Sequence, residues 1–204
     1  MQSRQARPSL IRAVSPLSDI VLVIATALNK EGICAVLTGD AAAAMHLNPG
    51  QAVPRLNYSL TSPASASRLA SAIRHLGFER ADDGHYRHAD IGVVLHLTDA
   101  PLSIGRDSKV VAQTLQLRHG FVRILSATDC CREQLLSSRA PGGGGALDKA
   151  VALAKRCDIN MPDMRTWMRQ QGMLGLWPDF KRPVEGTSRQ TGAASAAARP
   201  SRPR

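Results

Sequence analysis

Apolar positions along this chain follow two rhythms. Between Pro16 and Asn29, residues Leu17, Ile20, Val21, Val23, Ile24 and Leu28 recur at helical spacing, which predicts a helix buried on one side. Ser15 before Pro16 suits an N-cap followed by proline at the first helical position, and Gly32 stops the helix. Cys34 to Leu37 is a short apolar run bounded by glycines, as in a buried central strand. Gly39 then permits a tight turn, with Asp40 placed to cap a short helix from Ala41 to His46. Pro49-Gly50 breaks the chain before a strand from Val53 to Leu60.

The pattern continues in the same manner. Pro63 to Leu76 reads as a helix capped by Ser62, with Leu69, Ile73 and Leu76 inward and Gly77 as its stop. Phe78 to Asp90 reads as a hairpin turning at Asp82-Asp83-Gly84, followed by a strand from Ile91 to Leu97. A second hairpin spans Lys109 to Leu117 and Phe121 to Leu125, around Arg118-His119-Gly120. Ser126 or Thr128 can cap the next helix, with Asp129 in its first turn. Gly142 to Gly145 reads as a flexible linker. Two helices follow, Leu147 to Cys157 and Pro162 to Gln171, the second capped near Asn160 and turning Met164, Trp167 and Met168 inward. Together these elements predict one α/β (α+β) domain over 15–180: a small mixed sheet, flanking helices and a helical C-terminal piece. Residues 1–14 read as a flexible basic arm, and residues 181–204, rich in Pro, Ser, Ala and Arg, as a disordered tail.

Charge changes this picture little. Of the net +10, Arg4, Arg7 and Arg12 carry three, and a net five lie from Lys181 onward, where six basic residues face only Glu185; +2 remains for the middle. Basicity on the tails allows nucleic-acid binding by counterion release, but no aromatics interleave to stack bases. No apolar run reaches the roughly 20 residues that span a bilayer, so no membrane role and a cytoplasmic protein are expected. Cys34, Cys130, Cys131 and Cys157 form neither a disulfide framework nor a zinc pair and read as buried reduced thiols. His85-x-x-His88 with His96 invites a metal reading, but residues three apart on a strand face opposite sides.

Strand, glycine turn, alanine-rich helix, loop and second strand, in the segment ICAVLTGDAAAAMHLNPGQAVPRLNYSL from Ile33 to Leu60, are the order in which nucleotidyltransferases of the DNA polymerase beta type build their active site. The chain resembles the small bacterial nucleotidyltransferase-like proteins. The likeness continues in Leu76-Gly77-Phe78-x-Arg80, Tyr86-x-His88, Pro101-Leu102-Ser103-Ile104-Gly105, Leu125-Ser126-Ala127-Thr128-Asp129-Cys130 and the spacing of Trp167 and Gly172. In that family the turn carries Gly-Gly, the second strand carries a magnesium-binding Asp-x-Asp, and a third carboxylate stands late in a later strand. Here those positions hold Gly39-Asp40, then Arg55 and Asn57, then His96. Sliding the register by two gives Asn57 and Ser59, and the only carboxylate between Arg55 and Ala81 is Glu79.

Mg²⁺ favours carboxylate and phosphate oxygens, so the resemblance implies a kept scaffold with a degenerate nucleotide and metal site. The expectation is a catalytically inactive relative that acts as a binding, inhibitory or regulatory factor. It would need no cofactor and would hold a protein partner. The family's frequent place in toxin–antitoxin or phage-defence loci on mobile elements adds that context by association. Two alternatives stay open. One is an active transferase using Mg²⁺ and a nucleoside triphosphate, with Asp40, Asp90 or Asp99 as ligands. The other is a nucleic-acid binder acting through its tails. Asp129 reads as a helix cap, or as a second-shell residue beside the site.

Overall fold

The computed structural model describes residue 11 and residues 15–196. Of the expected flexible arm only Ile11 falls within that set, and it is buried; the rest of 1–14, like 197–204, lies outside the described residues.

The first helix, α1 (Leu17–Lys30), buries Leu17, Ile20, Val21, Ile24 and Leu28 along one side. Its N-cap is Pro16 rather than Ser15. Pro16 is extended (ψ 155°), and its carbonyl accepts the N–H groups of Asp19 and Ile20, so the helix starts one residue later than expected. Strand β1 (Ala35–Thr38) leads directly into α2 (Gly39–Leu47), and β2 (Arg55–Leu60) follows. Helix α3 (Ala66–Arg74) is shorter than the expected 63–76. Ser65, whose hydroxyl accepts the Arg68 N–H, outcompetes Ser62 as its cap.

The expected first hairpin forms from β3 (Phe78–Arg80) and β4 (Tyr86–His88), and β5 (Val94–Thr98) follows. The second hairpin pairs β6 (Gln113–Leu117) with β7 (Gly120–Ile124). The remaining helices are α4 (Ala127–Ser137), α5 (Ala146–Arg156), α6 (Met161–Gln170) and α7 (Trp177–Ala196). Ser126 and Asn160 cap α4 and α6 as expected, each accepting a backbone N–H three residues on.

The seven strands make one mixed sheet in the order β3-β4-β5-β2-β1-β7-β6. β1 runs antiparallel to β2 and parallel to β7, and β2 runs parallel to β5. β1 is the most deeply buried, with Ala35, Val36 and Leu37 all enclosed, as its apolar run requires. Leu56, Tyr58 and Leu60 of β2 face the core, which turns Arg55 and Asn57 to the other side. Among the described residues no helix is long and apolar enough to cross a membrane. Cys130 and Cys131 are buried, Cys34 and Cys157 half-buried, and all four are free thiols.

Two expectations fail here. Gly142 to Gly145 is not a loose linker but a run of hydrogen-bonded turns, with Gly143 N–H on Ala140 O and Ala146 N–H on Gly143 O. A Cβ on Gly143 would stand 2.0 Å from the Ser137 carbonyl oxygen, so glycine is what lets the turn close on the end of α4. The boundary expected at 180 falls inside α7, which runs from Trp177 to Ala196.

A prediction concerns the start of β3. Gly77 has φ +93°, and a Cβ there would lie 2.6 Å from Nε2 of the buried His88, whose ring packs edge-on against Phe78. Gly77→Ala is expected to destabilise the fold by about 2 kcal/mol, from a strained backbone and a ring that cannot retreat. Urea denaturation of the two proteins reads this directly; unchanged midpoints would show that the hairpin gives way freely.

Candidate functional site

The register of the sheet draws the expected site residues into one row. Thr38, the last residue of β1, stands opposite Asn57, and Asn57 stands opposite His96 of β5. Arg55, two residues before Asn57, shares its face of β2. The chain leaves β1 at Gly39 with φ +66°, so close to β2 that a Cβ there would lie 2.8 Å from Asn57 Nδ2. Gly39, Asp40, Arg55, Asn57 and His96 all line one open cleft of about 840 Å³. The opposite wall is built by Glu133 and Gln134 of α4, the turn Gly142–Gly144, and Lys149 of α5.

Asp40 does not cap α2. The helix begins at Gly39 itself, with Thr38 in the N-cap position, and the Asp40 carboxylate turns across the cleft. It accepts a hydrogen bond from Gln134 Nε2 at 3.0 Å and pairs with Lys149 Nζ at 2.9 Å. Asp129, placed by sequence either as a cap or beside the site, does not line the cleft. Its carboxylate accepts from Ser126 Oγ (2.7 Å) and from Arg132 (3.0 Å), while its N–H donates to Ser126 Oγ. Asp129 thus completes the capping of α4 and anchors Arg132, which also reaches Asp107 and lies over the Trp167 ring.

The residue that sequence reasoning missed is Glu133. Its Oε2 accepts the Gly39 N–H at 2.8 Å, so a carboxylate sits on the first amide of α2. That amide is at the positive end of the helix, where an anion is favoured. Burial pushes the Glu133 carboxyl up to about 7; the Gly39 N–H draws it down, and the nearby Asp129 and Asp40 charges raise it. The one trace of this role in the sequence is that Glu133 stands four residues after Asp129, along the same side of a helix.

His96 stacks on His85 with ring centroids 4.7 Å apart. Burial, then His85 and Arg55, hold its imidazole below the ordinary histidine range. His88 is on the other side of its strand, buried against Phe78. Among the described residues no three His, Cys, Asp or Glu side chains are grouped to hold a metal.

The donor set does not suit Mg²⁺. Arg55 repels a cation, Asn57 and His96 offer neutral donors, and the cleft's two carboxylates already hold other partners. Neither Asp90 nor Asp99 lines this cleft; Asp99 borders a separate groove beside Pro101 and Leu102.

No family model matches the sequence, and no curated protein sequence matches it. Among solved structures, the chain is similar to an antigenic nucleotidyltransferase-like protein from Paracoccidioides brasiliensis, with a TM-score of 0.62 at 16% identity, over 86% of this chain and 93% of that one. Two looser overlaps add nothing to this. They are the antibiotic-resistance factor ANT(2'')-Ia (TM-score 0.45, 10% identity, 88% and 95% of the two chains) and JHP933 from Helicobacter pylori (0.37, 10%, 88% and 96%). The fold is that of nucleotidyltransferase-like proteins: a mixed α/β domain around a seven-stranded sheet.

Proposed function

We propose that this chain is a catalytically inactive nucleotidyltransferase-like protein that works by binding, as an inhibitory or regulatory factor with a protein partner. The observation that carries this reading is the cleft face of the sheet, where Arg55, Asn57 and His96 stand side by side. In nucleotidyl transfer, carboxylate-held metal ions activate the attacking hydroxyl and shield the triphosphate. A guanidinium in that row opposes such ions. The Glu133 carboxylate on the Gly39 amide likewise opposes a phosphate at the start of α2. A setting in a toxin–antitoxin or defence system rests on the sequence resemblance alone.

The test is calorimetric titration of the folded protein with ATP, GTP, CTP and UTP, each with and without Mg²⁺. The expected result is that Mg²⁺ produces no binding that is absent without it. Metal-dependent binding of any nucleotide would overturn the inactive reading in favour of an active transferase.

A further inference from the structure

The cleft has two sides of opposite character. On the α2–α4 side, Glu133 occupies the Gly39 amide and Asp40 is bound to Gln134 and Lys149. A second anion there would meet two carboxylates. On the sheet side the sign reverses. Arg55 projects from the exposed start of β2, and its charge is felt at His96 in the neighbouring strand. His96 is paired in register with Asn57 and stacked on His85. Nearby Arg87 is paired with Asp83, but among the described residues Arg55 makes no ion pair.

Shape narrows the occupant. A concave space of about 840 Å³ is within the range of small-molecule sites and unlike a flat protein interface. Its far wall, Gly142–Gly144, has no side chains, so a ligand can reach the backbone. Apart from the His96 imidazole no aromatic ring lines it, so a planar base finds little to stack on. A guanidinium fork beside an imidazole and an amide suits a tetrahedral oxyanion.

We propose that this cleft binds a small phosphorylated molecule without a divalent cation, with Arg55 holding the phosphate by charge where a metal ion would otherwise stand, and the His96 imidazole and the Asn57 amide donating hydrogen bonds to it. This deepens, and rests on, the inactive reading of the same cleft. The phosphate is steered to β2 and β5 because Glu133 closes the α2 side.

The experiment titrates the full chain with inorganic pyrophosphate, ATP and adenosine, first in EDTA and then with excess Mg²⁺. Pyrophosphate and ATP are expected to bind in EDTA, adenosine not to bind, and Mg²⁺ to weaken binding by neutralising the phosphates. ATP tighter than pyrophosphate would mark a phosphorylated nucleoside as the occupant, and equal affinities a phosphate group alone; both support the site. Arg55→Ala is expected to weaken binding at least tenfold and Arg55→Glu to abolish it. Arg55 is exposed, so both variants should keep the wild-type circular dichroism and melting point. No binding of either phosphate probe in EDTA, adenosine binding as well as ATP, or binding indifferent to Arg55 would each overturn the proposal. Silence with and without metal defeats this site but leaves the inactive reading standing, whereas binding that requires Mg²⁺ defeats both.

Discussion

Glu133→Gln is expected to make the protein roughly 2–3 kcal/mol more stable at pH 8 while leaving stability at pH 4 nearly unchanged. The carboxyl rises from an ordinary 4.5 to about 7 on folding, chiefly because it is buried against α2. Each pKa unit corresponds to about 1.4 kcal/mol, and the upper end is discounted because part of the side chain faces the open cleft. The sign follows from proton counting. Between pH 4.5 and 7 the folded state holds a proton that the unfolded chain has released, so wild-type stability falls as pH rises through this window. Below it both states are protonated and the cost vanishes; above it the cost is complete. Glutamine copies the protonated form, and its carbonyl oxygen can still accept the Gly39 N–H. Melting curves from pH 4 to 8.5 should therefore diverge with rising pH, by roughly 5–10 °C at the alkaline end. Parallel curves would mean that Glu133 ionises without penalty, and the blocked amide at the head of α2 would have to be abandoned. A charge kept at such a cost is characteristic of sites whose electrostatics serve something other than stability.

The same contact shows where sequence reading stops. Arg55 and Asn57 were legible as a pair because a strand fixes residues two apart on one face, and that needs only local information. Gly39 and Glu133 are 94 residues apart, and nothing in either neighbourhood announces the other. His96 could be placed only through the family frame; the sheet register then sets it opposite Asn57. Caps divide along similar lines. Asn160 has no rival nearby and Ser126 prevails over Thr128, whereas Ser62 loses to Ser65 and Ser15 to an extended proline. Asp40 misleads for another reason: a short acidic residue after a glycine turn looks like a cap, but its partners Gln134 and Lys149 come from distant helices. In composition the glycine run looks like slack. Its lack of side chains instead serves close packing against Ser137.

Phe180→Ala is expected to cost about 3–5 kcal/mol, although Phe180 stands beside the point where the sequence suggests that the domain ends. The ring is fully buried, 5.9 Å from that of Trp177, on the first turn of a helix that packs against α5. Beyond it the character changes at once. From Lys181 to Gly186 only Lys181 and Val184 are even half-buried, and Lys181 and Glu185 form an exposed pair at 3.0 Å. A polar helix on the surface and a disordered tail draw on the same residues, so composition alone could not separate them. Glu185→Ala, which removes only that surface pair, should cost less than about 0.5 kcal/mol. Urea denaturation of both variants beside the wild type tests how α7 is held. A large loss for Phe180→Ala alone places the anchor of α7 in its first turn. Two small losses would mean that the ring does not seal the core and that α7 is held by some other contact.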